Sequence, residues 1–212
     1  MKFYTHRTPH LIKKLYPNRI WDFKQESNSI FLTFDDGPKP EVTDYILEML
    51  EQFNARATFF VVGGNVEKFP DLFKKTVSKG HTIGNHTFNH LNGWNTSSTD
   101  YINNVDRCDL MLQSNCINTR LFRPPYGRMK PSQARPLAEK KKIVMWDYLV
   151  GDFDAGLSAD QCLKRALNQI RPGSIVLFHD SLKAFGKLQK ILPIYLQTIS
   201  KKGLTMKAIN LA

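Results

Sequence analysis

The hydrophobic positions of the chain follow two alternating spacings. Short runs rich in β-branched and aromatic residues are typical of buried strands, and the segments between them have apolar residues three and four positions apart. The seven strand-like runs are 30–34, 57–62, 81–84, 121–123, 143–146, 174–178 and 204–209. Strands that alternate with helices predict parallel pairing, so we expect a single α/β sheet or barrel.

The helical segments carry their own start and stop signals. Val42, Ile46 and Met49 share one helical face, and Ser158 with Gln161 three positions later forms a capping box. Pro193 lies inside the last helical pattern and predicts a kink or a break there. A length of 212 residues suits one domain. We expect residues 1–28 to form an N-terminal extension that wraps the barrel, and residues 29–212 to form the domain.

Composition and charge narrow the choice of function only a little. The chain has 30 lysines and arginines against 19 acidic residues, a formal net charge of +11, which is compatible with nucleic acid or another anionic partner. The three cysteines form no CxxC pair and predict no disulfide framework. No apolar stretch of membrane-spanning length and no signal-like run are present, so the sequence as written predicts a cytoplasmic monomer, with peripheral association to an envelope as an alternative.

Polar residues collect where the predicted strands end. Asp35 and Asp36 follow the first strand, His86 and His90 follow the third, Arg123 ends the fourth, Asp152 follows the fifth and His179 follows the sixth. The carboxyl ends of parallel strands meet on one face of an α/β barrel, where active sites are built. We therefore expect these side chains to converge.

Two histidines and one carboxylate from this group predict a metal site. His86 and His90 are four positions apart, and a carboxylate from Asp35 or Asp36 completes a set that suits catalytic zinc or non-haem Fe(II). The same spacing also arises by chance on solvated faces. His6 and His10 share it, but they follow no strand, so we interpret them as structural or exposed. His81 lies within a strand run and is expected to be a core histidine.

The remaining polar residues have both catalytic and structural interpretations. Successive side chains point to different sides, so one of Asp35 and Asp36 is expected to bind the metal and the other to act as a base, unless both only form a turn. Arg123 could hold Asp152 or Asp35 by a bidentate pair, or could neutralise a buried acid. His179 could protonate a leaving group, or could only hydrogen-bond to Asp180 or a carbonyl.

The motifs in this order resemble the polysaccharide deacetylase family, the NodB-homology domain of carbohydrate esterase family 4. The segments that carry the resemblance are Thr33 to Gly37 (TFDDG), His86 to His90 (HTFNH), Arg123 to Tyr126 (RPPY) and Leu177 to His179 (LFH). The fourth motif of the family ends in Asp-Trp, where this chain has Asp152-Phe153. The resemblance implies a distorted (β/α)7 TIM-like barrel in a single domain.

The resemblance also implies roles for individual residues. Asp36, His86 and His90 would hold a divalent metal, usually Zn²⁺ with Co²⁺ as an alternative, and Asp35 would be the general base. His179 would be the general acid, Arg123 would orient Asp35, Asp152 would tune His179 or the arginine, and the Tyr126 backbone N–H would stabilise the oxyanion. The side chains expected to contact substrate are Pro124, Tyr126, Trp94, Phe153 and Leu177, whereas Trp146 is expected to pack in the core.

The implied activity is metal-dependent removal of N-acetyl groups from N-acetylhexosamine residues of a glycan, with release of acetate. The candidate substrates are peptidoglycan, chitin-like oligomers and exopolysaccharide. Two other functions remain open at this point. One is an Fe(II) enzyme built on the same two histidines and one aspartate. The other is a non-catalytic module that binds glycan or nucleic acid, with Trp94, Tyr126 and Phe153 as stacking surfaces, although no nucleic-acid partner is expected.

Overall fold

The computed structural model describes residues 4–211 and contains one mostly parallel sheet wrapped by helices. The strands are β1 (Ser29–Asp35), β2 (Thr58–Val61), β3 (Thr82–Asn85), β4 (Leu121–Phe122), β5 (Lys142–Ile143), β6 (Tyr148–Leu149), β7 (Ile175–His179) and β8 (Thr205–Lys207). Seven of them follow the order β5-β4-β3-β2-β1-β7-β6, and all the strand pairs are parallel. The predicted α/β barrel class is confirmed.

The sheet has one strand more than the sequence pattern predicts. Each of the seven predicted runs overlaps a strand, and the additional strand is β6, which has only two residues. Only Asp147 separates it from the hydrophobic run that begins in β5, and neither Gly nor Pro marks a boundary between them. The strands β8 and β2 lie on the same side of β1. Strand β8 pairs with Ser29–Phe31 at the beginning of β1, and β2 pairs with Thr33–Asp35 at the end of β1.

Eight α-helices occur in the described residues. They are α1 (His10–Leu15), α2 (Val42–Gln52), α3 (Gly63–Lys68), α4 (Pro70–Ser78), α5 (Ser98–Ser114), α6 (Pro131–Lys140), α7 (Ala159–Leu167) and α8 (Leu182–Lys201). The capping box predicted at Ser158 and Gln161 is present at the start of α7. Helix α8 continues through Pro193 as a single element, so the predicted break is absent. Residues on both sides of Pro193, including Leu192 and Tyr195, are fully buried, and this packing holds the helix together.

Strand β1 lies in the interior of the sheet, between β2 and β7, and all seven of its residues are buried. Phe34 stacks on Phe59 of β2 and on Phe178 of β7, with ring centroids 5.2 and 5.5 Å apart. Burial on both faces explains why the strand sequence is a continuous apolar run and not an alternating one. The same packing fixes the position of Asp35, the last residue of β1.

The described part of residues 1–28 lies between the two edge strands of the sheet. Ile20 forms a bridge to Val144, beside β5, and Arg7 forms a bridge to Tyr148 of β6. The side chains of Arg7 and Lys13 both pair with the buried carboxylate of Asp147. This segment therefore spans the gap where the sheet does not close on itself.

We predict that Gly186→Ala stabilises the protein. Gly186 lies within α8, and an added Cβ would meet no atom from outside its own stretch of helix within 4 Å. Alanine loses less conformational entropy than glycine inside a helix, so the free energy of unfolding should rise by about 0.5–1 kcal/mol. Thermal or urea unfolding measures the change. A lower unfolding free energy would contradict the placement of Gly186 in the interior of α8.

Candidate active site

The polar residues predicted to converge lie together at the carboxyl ends of the strands. Asp35 ends β1, His86 follows β3, Arg123 follows β4 and His179 ends β7. The register pairs Asp35 with His179 as neighbours across β1 and β7. Because the strands are parallel, this rim is the face where an α/β barrel places its active site.

Asp36, His86 and His90 form a three-residue cluster on this rim. One ligand atom from each lies within 4.8 Å of the others. The Oδ1 atom of Asp36 is 3.1 Å from Nε2 of His90 and 3.7 Å from Nε2 of His86. Two imidazole nitrogens and one carboxylate oxygen at these distances are the donor set of a catalytic divalent-metal site with open positions.

The hydrogen bonding of His86 leaves its Nε2 free to bind a metal. Nδ1 of His86 is 2.7 Å from the backbone oxygen of Arg123, which can only accept, so Nδ1 carries the proton. Burial lowers the pKa of His86 to about 4, so the ring is neutral. A backbone carbonyl that fixes the tautomer in this way is the usual support for a metal-binding histidine. The residues therefore fit a divalent metal.

The loop that carries His86 and His90 is held by asparagine side chains. Oδ1 of Asn85 accepts the backbone N–H of Thr87 at 2.8 Å, and Oδ1 of Asn104 accepts the N–H groups of Phe88 and Asn89 at 2.9 Å. Thr87 and His90 both have positive φ values, 64° and 54°. The two rings meet because of this irregular loop and not because of a helical turn.

Asp35 and Asp36 both face the cluster, which corrects the expectation that their side chains point to different sides. Oδ2 of Asp35 lies 3.8 Å from Nε2 of His86, nearly as close as Oδ1 of Asp36 at 3.7 Å. Asp36 has φ of 86°, a left-handed conformation that ends the extended geometry of β1. Burial would raise the pKa of Asp36, but the hydrogen bond with His90 and the positive charge of His179 hold it well below its usual range.

Arg123 holds Asp35 by a single contact, so the predicted bidentate pair is wrong. One of its terminal nitrogens donates to Oδ1 of Asp35 at 2.7 Å and to Oγ1 of Thr33 at 2.8 Å. The other guanidinium donors are used by the backbone oxygens of Val144 and Met145. Arg123 is fully buried, so its orientation and that of Asp35 are fixed.

Asp152 contacts His179 and not the arginine. Its Oδ1 is 2.8 Å from Nδ1 of His179, and its Oδ2 accepts the His179 backbone N–H at 2.7 Å. Burial would lower the pKa of His179, but the carboxylates of Asp152, Asp36 and Asp35 raise it to about 9. The ring is therefore protonated at neutral pH, and Nε2 is the nitrogen left unused by the Asp152 pair.

Asp180 is not the partner of the His179 side chain. Its carboxyl group accepts the hydroxyl of Thr43, and burial raises its pKa to about 8. A Cβ at Gly37 would lie 2.0 Å from Oδ2 of Asp180. The absence of a side chain at Gly37 thus lets the turn after Asp36 lie directly on this buried acid.

Of the five side chains expected to contact substrate, three are accessible. Trp94 and Tyr126 are 57% and 58% exposed, and Phe153 is partly buried with its ring 4.8 Å from that of His179. Pro124 and Leu177 are buried and offer little surface. Trp146 is only partly buried at the margin of the core, where its ring lies close to Gly127.

The Tyr126 backbone lies in a position suited to an oxyanion donor. Tyr126 belongs to the short 3₁₀ turn Pro125–Gly127 and has a positive φ of 60°. Among the described residues, no carbonyl outside that turn accepts its N–H. Its ring packs at 4.7 Å against the ring of His90, which brings the turn next to the cluster.

Sequence reasoning missed several residues that support the site. Thr33 and Asp35 are two positions apart in β1 and share one face, which could have identified Thr33 as a second acceptor for Arg123. Asn85 directly precedes the first histidine and was also open to detection. Asn104 and Thr43 reach the site through tertiary contacts that have no signal in the local sequence.

The other histidines have the structural roles that were expected. Nδ1 of His81 accepts the Ala57 backbone N–H, and burial lowers the pKa of His81 to about 4. His6 contacts the Leu149 backbone oxygen and Arg165, and His10 is exposed in α1. Neither joins a cluster of metal-binding groups in residues 4–211.

Comparison with known proteins agrees with this geometry. Residues 23–146 match the family model described as polysaccharide deacetylase. The chain belongs to the polysaccharide deacetylase family. The matched region contains Asp35, Asp36, His86, His90 and Arg123, while Asp152 and His179 lie beyond it.

Deacetylases similar to this chain act, by name, on amino-sugar polymers and oligomers. A peptidoglycan-N-acetylglucosamine deacetylase of Bacillus cereus is 38% identical over 154 residues, which are 72% of this chain and 56% of that protein. A chitooligosaccharide deacetylase of Azorhizobium caulinodans is 34% identical over 160 residues, 74% of this chain and 75% of that protein. The chain thus spans about half the length of the first of these relatives and three quarters of the second.

A solved structure shares nearly the whole fold. It is a peptidoglycan N-acetylglucosamine deacetylase in complex with 4-naphthalen-1-yl-N-oxidanyl-benzamide, with a TM-score of 0.86, 30% identity and 95% coverage of both chains. The expected family and barrel are confirmed, and the similar proteins are named as deacetylases, which are hydrolases. None of these similarities favours an Fe(II) enzyme or a non-catalytic binding module.

Proposed function

We propose that this polysaccharide deacetylase removes N-acetyl groups from N-acetylglucosamine residues of a glycan by metal-dependent hydrolysis. The observation that carries the proposal is the placement of Asp35 on Arg123, 3.8 Å from the metal-binding nitrogen of His86, on the rim that also carries His179. The names of the similar deacetylases support N-acetylglucosamine as the sugar and leave peptidoglycan and chitooligosaccharide as the two leading substrates.

Asp36, His86 and His90 would hold the metal, and zinc suits two neutral imidazoles and one carboxylate. When bound, a divalent ion polarises a carbonyl and lowers the pKa of water. Asp36 supplies a negative charge because its pKa lies well below the usual range. His86 offers its unprotonated Nε2, because its Nδ1–H donates to the Arg123 backbone oxygen, so both groups are ready for a metal at neutral pH.

Asp35 would act as the general base toward the attacking water. Its Oδ1 is occupied by Arg123, while its Oδ2 faces His86 across 3.8 Å. The guanidinium thus selects which carboxylate oxygen receives the proton. It also fixes the carboxylate by charge-assisted hydrogen bonding, which reduces the reorganisation needed during proton transfer.

His179 would protonate the departing amine. An amide releases its nitrogen poorly unless the nitrogen is protonated, so the reaction needs a group that is still charged near neutral pH. Asp152 provides this by holding Nδ1–H, which leaves Nε2–H as the donor toward the site. The edge of the Phe153 ring packs on the His179 ring and restricts its rotation.

The backbone N–H of Tyr126 would stabilise the oxyanion, and exposed aromatic rings would contact the sugar. The guanidinium of Arg128 stacks on the Trp94 ring, 4.7 Å from its centroid, and covers one face of the indole. The Tyr126 side chain is exposed beside His90. These two rings would form the surfaces on which the sugar stacks.

Acetate release tests the proposed function directly. Purified protein loaded with zinc is incubated with peptidoglycan and with N-acetylglucosamine oligomers, and acetate and free amines are both quantified. We expect the two products in equal amounts from at least one of these substrates. A protein that binds zinc tightly and releases acetate from neither substrate would overturn the proposal.

The pH dependence of activity should reflect the pKa of His179, which Asp152 raises. Because the pKa of His179 is raised to about 9, the proton needed by the leaving amine is held below that pH and lost as the pH rises through it. Activity should therefore fall on the alkaline side near pH 9. In Asp152→Asn the neighbouring negative charge is gone, so the alkaline limb of kcat/KM should move to lower pH by at least about one unit.

The direction of the shift distinguishes this role from simple structural damage. A variant whose only defect is a distorted site should lose activity at every pH, and the alkaline limb of its kcat/KM profile should stay at the wild-type pH. An alkaline limb that stays at the wild-type pH in Asp152→Asn would show that His179 is not the proton donor.

A further inference from the structure

Helix α1 exposes its apolar residues and turns one of its two lysines, Lys13, inward. Leu11 and Leu15 are 68% and 65% exposed, and no residue of α1 is buried. The Lys13 side chain faces the barrel and pairs with Asp22 and Asp147. Leu11 and Leu15 are each two positions from Lys13, about 200° around the helix, so both point away from the protein. A surface helix of a soluble domain normally has the opposite arrangement.

The exposed apolar side chains of the protein are concentrated on this short segment. Nine large hydrophobic side chains are exposed in residues 4–211, and four of them are Leu11, Ile12, Leu15 and Tyr16. Tyr126 lies at the active site, Trp94 packs against Arg128, and Leu110, Leu182 and Ile194 are spread over other helices. We call the four residues at 11–16 the α1 patch.

Two basic grooves lie beside α1, on the side of the helix that carries Lys13. A cleft of about 400 Å³ beside the helix is lined by His10, Lys13, Lys24 and Arg171, and a second groove of about 320 Å³ shares Lys13 and Lys24 with it. The two acids of the cleft, Asp22 and Asp147, are paired with Lys13 and Arg7. Among the described residues, Lys24 and Arg171 have no ion-pair partner, so the cleft keeps positive charge for an anionic ligand.

The α1 patch lies at the end of the barrel opposite to the active site. Asp22 forms a bridge to Ser174, which directly precedes β7, whereas His179 is the last residue of that strand. Five strand residues separate the two levels by about 17 Å. A surface that covers the α1 patch would therefore leave the active rim open on the far side.

We propose that the α1 patch and its basic grooves dock the protein on a membrane surface that contains anionic phospholipid. The leucines and Tyr16 would enter the boundary between headgroups and acyl chains, and Lys24 and Arg171 would contact the lipid phosphates. Exposed apolar residues with basic neighbours, here Lys14 between Leu11 and Leu15 and Arg19 on the Tyr16 ring, have the composition of interfacial segments. The net charge of +11 favours an anionic surface. No helix of residues 4–211 is long and apolar enough to cross the bilayer.

Vesicle binding tests the proposal on the full chain. Phosphatidylcholine vesicles with and without phosphatidylglycerol are sedimented with the protein at low and high salt. We expect binding only to the anionic vesicles, with a loss of at least about tenfold in affinity for the double variant Leu11→Ser and Leu15→Ser. The matched control, Leu110→Ser with Leu182→Ser, removes two equally exposed leucines elsewhere and should bind as the wild type does.

A second double variant, with its own control, tests the contribution of the basic residues to vesicle binding. Lys24→Gln with Arg171→Gln should weaken binding to the anionic vesicles several-fold, because each basic residue near the surface contributes to attraction. Lys68→Gln with Lys74→Gln removes two exposed charges on α3 and α4 and should have little effect. Circular dichroism during heating confirms that all four variants fold.

Three results would overturn the proposal. The first is equal binding by the Leu11/Leu15 variant, which would indicate attraction by overall charge alone. The second is inhibition of vesicle binding by soluble polyphosphate to the same extent in the wild type and in the Leu11/Leu15 variant, which would indicate a polyanion site. The third is a wild-type dimer that the leucine variant dissociates without any vesicle binding, which would indicate a contact between two copies of the chain.

Discussion

Asp35→Asn is expected to reduce acetate release by about 10²–10⁴-fold while leaving metal binding intact. The substitution keeps an oxygen for Arg123 and removes the group that accepts a proton from water, a step that contributes about this factor in general-base catalysis. Asp35 is buried on Arg123 and is not a member of the Asp36–His86–His90 cluster. The loss should therefore appear in kcat, measured as acetate release by zinc-saturated protein.

Zinc affinity and thermal stability provide the controls for Asp35→Asn. Both should stay close to the wild-type values if Asp35 is only the base. A variant that loses zinc together with activity would make Asp35 a metal ligand. A variant that keeps more than a tenth of the activity would remove it from the mechanism.

His90→Gln is expected to abolish metal-dependent activity for a different reason. His90 contributes one of the three ligand atoms, and its side chain is 28% exposed, so its replacement disturbs the core less than replacement of the buried His86 does. Metal coordination supplies several kcal/mol of transition-state stabilisation, so activity should fall at least about a thousandfold at a fixed zinc concentration. Calorimetric zinc titration measures the loss of metal affinity, and acetate release measures the loss of activity.

His81→Gln is the matched control for His90→Gln. His81 directly precedes β3, at the opposite end of that strand from His86, is buried, and contacts the Ala57 backbone. Its replacement should cost stability and leave zinc affinity unchanged. Tight zinc binding by His90→Gln, at the wild-type stoichiometry, would contradict the assignment of His90 to the cluster.

Much of the fold and most of the site residues follow from the sequence, for identifiable physical reasons. Short runs rich in β-branched and aromatic residues, such as β1, predict strands buried on both faces, and the side chain after such a strand is carried to the rim. Asp35 and His179 are predicted correctly in position because they end β1 and β7, which pair in register. The two-residue strand β6 has no periodicity of its own to detect.

The contacts within the site depend on backbone features that residue identity alone does not determine. The left-handed conformation of Asp36 turns its carboxylate toward the same cavity as Asp35. The single contact between Arg123 and Asp35 follows from competition, because Thr33 and two backbone oxygens take the other guanidinium donors. A sequence shows that such donors and acceptors exist, but the partners are chosen by tertiary packing.

The contacts of the N-terminal residues also could not be predicted from the sequence. Their composition predicts an extension, but nothing in it indicates that Arg7 and Lys13 pair with Asp147 or that Ile20 bridges to Val144. Tyr4 donates its hydroxyl to Asp154 and packs against Phe153, the residue that contacts His179. The extension thus supports the loop that carries Asp152, a connection that only the structure reveals.

Zinc titration of metal-free protein, with acetate release from N-acetylglucosamine oligomers or peptidoglycan as the readout, tests the central claim most directly. We predict negligible release without metal, a rise in proportion to added zinc, and saturation at one metal ion per chain. Equal rates of acetate release from the metal-free and the zinc-saturated protein would contradict the account.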